Sequence, residues 1–385
     1  MNIIRKRRKN LTVTILSLSL LTVMAGAAVA PALDVIKTYF NSTNQILVQM
    51  IISIPSLFIV FTNIIFPKLC KKFKTKELVL SGLFLYIAGG CTAGLFDNIF
   101  IVLIFRALVG IGVGIIMPMS TGLISFYYTK DNQDKLMGYS SAMNQFGGVA
   151  STIISGVLAS ISWRASFLVY LIGLISIVLC LGYLPNEKII RENEKKESGV
   201  FRSNYMFIVA IFLSMFTFFV YPSVFAIETA KNGIIPHNLV AVIMAGLDFI
   251  AFFGGLSFMH IKKRAGIKTK YIAPVLFLIG YIFLLVLNGF GGAIVGSALI
   301  GFANGLEIPF IISAASQNVG KTAATTIMPM ISVSMYLAQF LTPIILSLIS
   351  DIFIMSVNFH LPYFIAAAAS GLLLVWSLTI KEQQI

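Results

Sequence analysis

Twelve long apolar runs constrain this chain more than any other feature. They fall near residues 11–32, 44–67, 78–96, 99–124, 137–160, 165–184, 205–227, 238–259, 271–290, 292–316, 325–350 and 360–380. A helix rises 1.5 Å per residue, so about 20 residues cross the roughly 30 Å hydrocarbon core of a bilayer. Within that core no water can bond an exposed peptide group, which leaves the helix as the structure such runs adopt. Composition agrees: 58% of the 385 residues are hydrophobic, 11% are charged, and mean hydropathy is +0.94. A soluble domain carries about 25% charged residues and could not cover its surface with so few. The reading is an all-α integral membrane protein whose first partner is the lipid bilayer.

The net charge of +14 would suggest a nucleic-acid partner in a soluble protein. Here its distribution argues topology instead, with no nucleic acid involved. With the N-terminus inside, 24 of the 28 Lys and Arg residues fall in inside segments: residues 5–9, 68–76, 130 and 135, 188–202, 262–270, 321 and 381. Such a bias sets orientation, placing both termini in the cytoplasm of a multi-pass protein of the cell membrane. The basic run Arg5 to Lys9 precedes an apolar stretch too long for a signal peptide, so it is read as leading into a retained first helix. Cys70, Cys91 and Cys180 lack paired spacing and are read as free thiols, with no disulfide, metal or cofactor.

A polar stretch at 186–204 divides the chain into a first six-helix half, 1–185, and a second, 205–385. The halves look related. Gly110, Gly114 and Pro118 recur as Gly301, Gly305 and Pro309, each 191 positions later, and Lys71-Lys72 recurs as Lys262-Lys263 at the same offset. Gln145-Phe146 recurs as Gln339-Phe340 at an offset of 194. Duplicated halves around a central site suit a transporter that works by alternating access.

The fourth span reads Leu103-Ile-Phe-Arg106-Ala-Leu-Val-Gly110-Ile-Gly112-Val-Gly114. It resembles the R-x-x-x-G-x-G element of the major facilitator superfamily, particularly the twelve-helix drug/proton antiporter branch. Pro31-Ala-Leu33-Asp-Val-Ile36 is similar to that branch's P-x-L-x-x-I, and Trp163-Arg164 with Phe167 to its W-R-x-x-F. Two departures stand out. The loop between spans two and three, usually G-x-L-x-D-R-x-G-R-R/K, reads Pro67-Lys-Leu69-Cys-Lys71-Lys72-Phe-Lys74-Thr75-Lys76, without the glycines or the aspartate. In the family that acid helps lock the inner gate against a helix N-terminus, a contact a lysine cannot make. The fifth-span pattern G-x-x-x-G-P-x-x-G-G appears as Gly147-x-x-x-Ser151-Thr152-x-x-Ser155-Gly156, without the Gly-Pro pair.

Three ionisable residues lie deep in spans, where charge costs roughly 2.5–3.5 kcal/mol. Glu307, two residues before Pro309, is a candidate proton carrier, because a carboxyl in such surroundings can exchange a proton near neutral pH. The resemblance implies that its span lines the central cavity; the plainer reading is an interhelical hydrogen bond. Asp248 has Ala241, Ala245, Ala251 and Gly255 at helical spacing and is read either as a second proton or cation site or as an interhelical bond. The resemblance gives Arg106 a role in proton transfer or in holding span one. Alternatively it bonds carbonyls or hydroxyls such as Ser17 or Ser19, since the nearest acid, Asp34, lies at the outer end. Asn144, Gln145, Asn304 and Gln339 either line the substrate cavity or join helices. Gly110, Gly112, Gly114, Gly147 and Gly156 are read as close-packing positions. Glu228, Lys231 and Asp351 are expected to be solvated at outer ends, and His237, His260 and His360 have no metal-ligand spacing.

No G-x-x-x-x-G-K-S/T loop is present to use ATP, and no H-E-x-x-H or G-x-S-x-G motif suggests an enzyme. The expectation is a monomeric, proton-coupled exporter of hydrophobic or amphipathic small molecules. The alternative is uptake or exchange of one small metabolite, including an anion. Substituting Lys71→Asp should restore the family's acid and shift the population outward-open. A cysteine reporter on the inner side whose accessibility stays unchanged would count against this.

Overall fold

The computed structural model describes residues 2–128, 130–188, 200–233, 235–287, 289–352 and 361–379. Most of the 186–204 stretch falls outside them, as do the side chains of Lys231, Asp351 and residues 316–329. Two compact units emerge, Met1–Glu192 and Asn193–Ile385. In the first lie α1 (Asn2–Ala27), α2 (Leu33–Tyr39), α3 (Gln45–Lys72), α4 (Thr75–Ala93), α5 (Ile99–Tyr127), α6 (Lys130–Ala159), α7 (Trp163–Ser166) and α8 (Gly173–Tyr183). The second holds α9 (Val200–Asn232), α10 (His237–Ala265), α11 (Thr269–Val286), α12 (Phe290–Ile352) and α13 (Leu361–Thr379).

The helices begin and end where polar chemistry permits. Asn44 and Asn98 accept the backbone N–H groups of Ile46 and Phe100 at 3.0 and 2.9 Å, capping α3 and α5. Ser162 does the same for α7 through Ala165 at 3.1 Å. Gly233 and Gly266, at φ of +59° and +53°, follow α9 and α10, where a side chain would be strained.

The described parts of the twelve apolar runs are mostly helical, with breaks at 28–29 and at the run ends near 44, 94–96, 160, 184 and 287. Among the described residues, nine segments are long and apolar enough to cross a membrane, and one of them, Leu239–Val286, contains both α10 and α11. Helices α4 and α6 are not among the nine. The first opens on Lys76 and Glu77, and the second on the polar run Lys130 to Lys135.

The helical run α12 contains two such segments, Phe290–Ala315 and Met330–Ser350. Its path cannot be straight. Ser297 bonds Tyr221 of α9 at 2.7 Å, and Ser334 bonds the Ile208 carbonyl of the same helix at 2.8 Å. Thirteen residues of α9 span about 20 Å, whereas the 37 between the two serines would span about 55 Å. The run therefore doubles back between them, and both of its segments pack along α9.

The internal repeat is legible in the packing within each unit. Gly89 of α4 packs on the Phe105 carbonyl and Val109 N–H of α5, and Gly280 of α11 packs on the Gly296 carbonyl and Ile300 N–H of α12. All three positions are shifted by 191 residues. Likewise Gly110 and Gly114 seat against Pro55, Ile59 and Thr62 of α3, while Gly301 and Gly305 seat against Leu247, Ala251 and Gly255 of α10. Lipid tails are as apolar as leucine, so helices here associate by close packing, and small residues let their backbones approach.

A methyl group at Gly305 would run into the Ala251 carbonyl, whereas one at Gly255 would meet only the Gly305 carbonyl at 3.6 Å. Gly305→Ala should therefore lose about 1–3 kcal/mol of stability. Gly255→Ala should stay within about 0.5 kcal/mol. Thermal denaturation of the two purified variants tests this, and equal losses would refute it.

Candidate functional site

In the first unit the site is built around Arg106, which is 0% exposed. Its Nε donates to the Ile51 carbonyl at 2.7 Å, one terminal nitrogen donates to the Tyr170 hydroxyl, and the other to the Ala25 carbonyl. Both carbonyls have a reason to be available. Pro55 stands four residues after Ile51 in α3 and has no N–H to give it. Ala25 lies in the last turn of α1, whose carbonyls have no helical partner. A helix C-terminus also carries partial negative charge, which offsets the guanidinium. Tyr170 adds its ring face, 5.4 Å from the guanidinium carbon, and its hydroxyl bonds the Ala25 carbonyl as well at 3.1 Å. Arg106 thus ties α1, α3, α5 and the 3-10 turn Phe167–Ile172 together, with no carboxylate among the described residues. The serines offered by the sequence reading do not serve it: Ser19 bonds Ser140 at 2.7 Å and Ser17 bonds the Thr14 carbonyl at 2.8 Å.

Helices α1 and α6 meet along a polar seam. Asn144 accepts from Thr22 at 2.8 Å, one turn from the Ser19–Ser140 bond, and Gly147 packs on the Leu20 carbonyl. Asn144 is therefore an interhelical bond in this structure. Gln145 beside it is half-buried, as is Gly156 further along α6. On α5, Gly110 faces α3, Gly112 faces Gly82 and Tyr86 of α4, and Gly114 faces Thr62.

The N-terminus of α4 is held by the segment that follows α8. The Thr75 N–H and hydroxyl both donate to the Glu187 carbonyl, at 2.9 and 2.6 Å. Tyr127 donates to the Glu187 carboxylate at 3.4 Å; burial and that carboxylate push its phenol up to about 12. The chain after α8 thereby caps α4, while Lys71, which stands where the family's aspartate would be, is exposed in the last turn of α3. At the far end of the same unit Arg164 pairs with Asp97 and donates to Tyr39 at 3.0 Å, while Tyr39 donates to Asp97 at 2.6 Å. The Tyr39 hydrogen bond, and then the Arg164 charge, hold the Asp97 carboxyl below the usual carboxylate range.

In the second unit Glu307 is 0% exposed, and neither carboxylate oxygen has a hydrogen-bond partner among the described residues. It follows Gly296 and Ile300 by eleven and seven residues, which puts it on the stripe of α12 that packs on α11. The open stripe is on the opposite side, at Gly291, Val295, Phe302, Pro309 and Ser313. Asn304 lies seven residues after Ser297, on the α9 side, and its buried Oδ1 also lacks a partner. Asp248 is half-buried on α10, within electrostatic reach of Tyr221. Gln339 is half-buried on the second segment of α12. These residues are distributed around α12 rather than gathered at one point.

One expectation fails. Glu228 is not solvated: it is 7% exposed in α9 and within electrostatic reach of Tyr363 on α13. An acid near a helix end looks solvated in sequence, but α13 packs over this end of α9. Sequence reading also missed Tyr170, Tyr221 and Ser297. Pro55 was a signal for the Arg106 bond alone, since it marks the unbonded Ile51 carbonyl; Tyr170 answers the carbonyls at the end of α1. Ser297 stands 191 residues after Arg106, so the second half fills the arginine's seat with a hydroxyl bonded to Tyr221.

The chain belongs to the Major Facilitator Superfamily, whose sequence profile matches residues 15–343. It is accordingly a multi-pass membrane transporter. Among similar proteins, the multidrug efflux pump SdrM of Staphylococcus aureus is 25% identical over 211 residues, 53% of this chain and 46% of that protein. The riboflavin transporter RibZ of Clostridioides difficile is 23% identical over 153 residues, 39% of this chain and 34% of that protein. This chain thus matches less than half the length of either relative. A solved D-xylose-proton symporter superposes with a TM-score of 0.79 at 14% identity, covering 97% of this chain and 98% of that one, and so shares the fold.

Because Arg106 replaces the N–H that Pro55 lacks, the two residues are coupled. Arg106→Lys should lower the melting temperature, since one ammonium cannot reach three divergent acceptors. In a Pro55→Ala background, where an N–H can again reach the Ile51 carbonyl, the same substitution should do less damage. A double-mutant cycle by thermal denaturation measures this, and strictly additive losses would contradict the coupling.

Proposed function

We propose that this transporter is a proton-coupled exporter of hydrophobic or amphipathic small molecules, working by alternating access. The observation that carries the reading is the Glu307 carboxyl, sealed in a packed helix interior without a hydrogen-bond partner among the described residues. A charge placed there is uncompensated, so its ionisation changes the energy of packing between α11 and α12. Proton gain and loss at Glu307 then biases helix arrangement, which is how a gradient drives a conformational cycle. Asp248, half-buried on α10, is the second proton-coupling candidate. Arg106 acts by holding the end of α1, and its bonds to two carbonyls and a phenol leave it poorly placed as a ligand for an anionic substrate.

The substrate class draws on two supports. The open stripe of α12 is apolar and aromatic where Val295, Phe302 and Pro309 stand. Similar proteins include the multidrug efflux pump SdrM and the quinolone resistance protein NorA of Staphylococcus aureus, the latter 24% identical over 237 residues. Within this reading the half-buried Gln145 and Gln339 supply the few polar contacts, while Asn144 and Asn304 face α1 and α9. In the proposed arrangement twelve spans form two related halves, 1–185 and 205–385, joined by a cytoplasmic segment at 186–204, with both termini cytoplasmic and the protein active as a monomer in the cell membrane. The competing reading, one metabolite per transporter, has support from the similarity to the riboflavin transporter and to the sialic acid transporter NanX of Escherichia coli, 23% identical over 246 residues.

In proteoliposomes with an imposed pH gradient, a panel of lipophilic cations, neutral drugs and small organic anions should trigger proton movement with members of the first two groups. Glu307→Gln should abolish that movement while leaving expression normal. Full coupling in this variant would remove Glu307 from the mechanism, and a response confined to one small anion would favour the metabolite reading.

A further inference from the structure

The basic ends of α3 and α10 have a feature that the proposed function leaves unassigned. On α3 the outward stripe runs Phe61, Ile64, Ile65, Lys68, Lys71 and Lys72, at the three- and four-residue spacing that stacks side chains on one helix face. Phe61, Ile64 and Ile65 are 52%, 63% and 50% exposed, which in a membrane helix means facing acyl chains. Directly beyond them stand three exposed lysines and the exposed ring of Phe73, with the Lys72 ammonium 5.6 Å from that ring. Among the described residues no acidic side chain pairs with Lys68, Lys71 or Lys72. The two nearby acids are engaged elsewhere: Glu77 accepts the Lys74 N–H at 3.3 Å, and Glu187 accepts from Tyr127.

The second unit repeats the pattern. Exposed Leu256 and Met259 of α10 lead to exposed Lys263 and Arg264, with Lys268 following. Lys262 is turned inward to Ser313 at 3.2 Å. No acidic residue occurs anywhere between Asp248 and Glu307. An exposed apolar strip that ends in cations with no acidic partner among the described residues matches one occupant in both polarity and charge.

We propose that the ends of α3 and α10 each bind an acidic phospholipid. Its chain lies along Phe61–Ile65 in the first unit and Leu256–Met259 in the second. Its phosphate is held by Lys68, Lys71 and Lys72 in one and by Lys263 and Arg264 in the other. Juxtamembrane basic clusters attract anionic headgroups with an energy that acts within a Debye length of the surface. The sites depend on neither the substrate nor the direction of transport.

The test uses the full chain purified in detergent, with melting temperature followed on titration of phosphatidylglycerol or of phosphatidylcholine with the same acyl chains. Phosphatidylglycerol should stabilise more, and its advantage should shrink as salt rises. Replacing Lys68, Lys71 and Lys72 by Gln should weaken the apparent affinity about fivefold per lysine removed. Lys37→Gln, on α2 ahead of the opposite end of α3, should leave it unchanged. Equal stabilisation by both lipids, or an advantage that survives high salt, would overturn the proposal. So would full stabilisation by glycerol phosphate, which lacks the chains. Should the triple variant fail to fold, Lys71→Gln alone and the wild-type salt titration still decide it.

Discussion

A bilayer forces every backbone carbonyl that its own helix leaves unbonded to find a donor elsewhere, and Arg106 answers that demand twice. Pro55 opens α3 at Ile51, and the last turn of α1 leaves the Ala25 carbonyl open; one guanidinium closes both. A planar group with five N–H donors can do this where a point charge could not. The arrangement reverses the usual account of a buried cation. Arg106 is not a charge in search of an acid. It fills gaps that a proline and a helix end create, and the partial charges of those gaps pay its desolvation. Much of the first unit is organised around this point, since α1, α3, α5 and the turn carrying Tyr170 converge there.

Around it, the units rely on close backbone approach. Glycines on α5 and α12 bring these helices against their neighbours at matching positions of the two halves. Ser377 shows the same carbonyl logic at smaller scale: Pro274 cannot bond the Lys270 carbonyl, and the Ser377 hydroxyl donates to it at 2.9 Å. Polar groups in these helices are thus spent mainly on backbone repair and on seams between helices. Glu307 differs in being a fully buried carboxyl with neither oxygen bonded among the described residues, where its unpartnered neighbours, such as the Asn304 amide, are uncharged.

Much of the architecture could be read from the residues. Apolar runs located the helices because lipid admits little else, and the 191-residue offset exposed a repeat that the Gly89 and Gly280 contacts reproduce at the carbonyl and the N–H each one meets. The sites were less legible. Asn144 and Glu307 look alike as polar residues in apolar runs, yet one closes an interhelical bond and the other stands without a partner. That difference depends on what the neighbouring helix presents, which periodicity within one helix cannot reveal. Glu228 shows the same limit: nearness to a helix end suggested water, and the packing of α13 removed it. The doubling back of α12 was implied by its two apolar runs, but only the bonds of Ser297 and Ser334 to one helix show it.

The exchange of Arg106 for Ser297 between the halves has an evolutionary consequence. In the first half Pro55, the end of α1, Arg106 and Tyr170 form an interlocked set, so a change in one alters what the others must supply. Variation there has to travel through correlated steps. In the second half the seat holds a hydroxyl bonded to a single phenol, a far less entangled arrangement. Under the repeat reading the two halves therefore place different demands on change: a substitution in the first must suit several partners at once, while one at Ser297 must suit Tyr221.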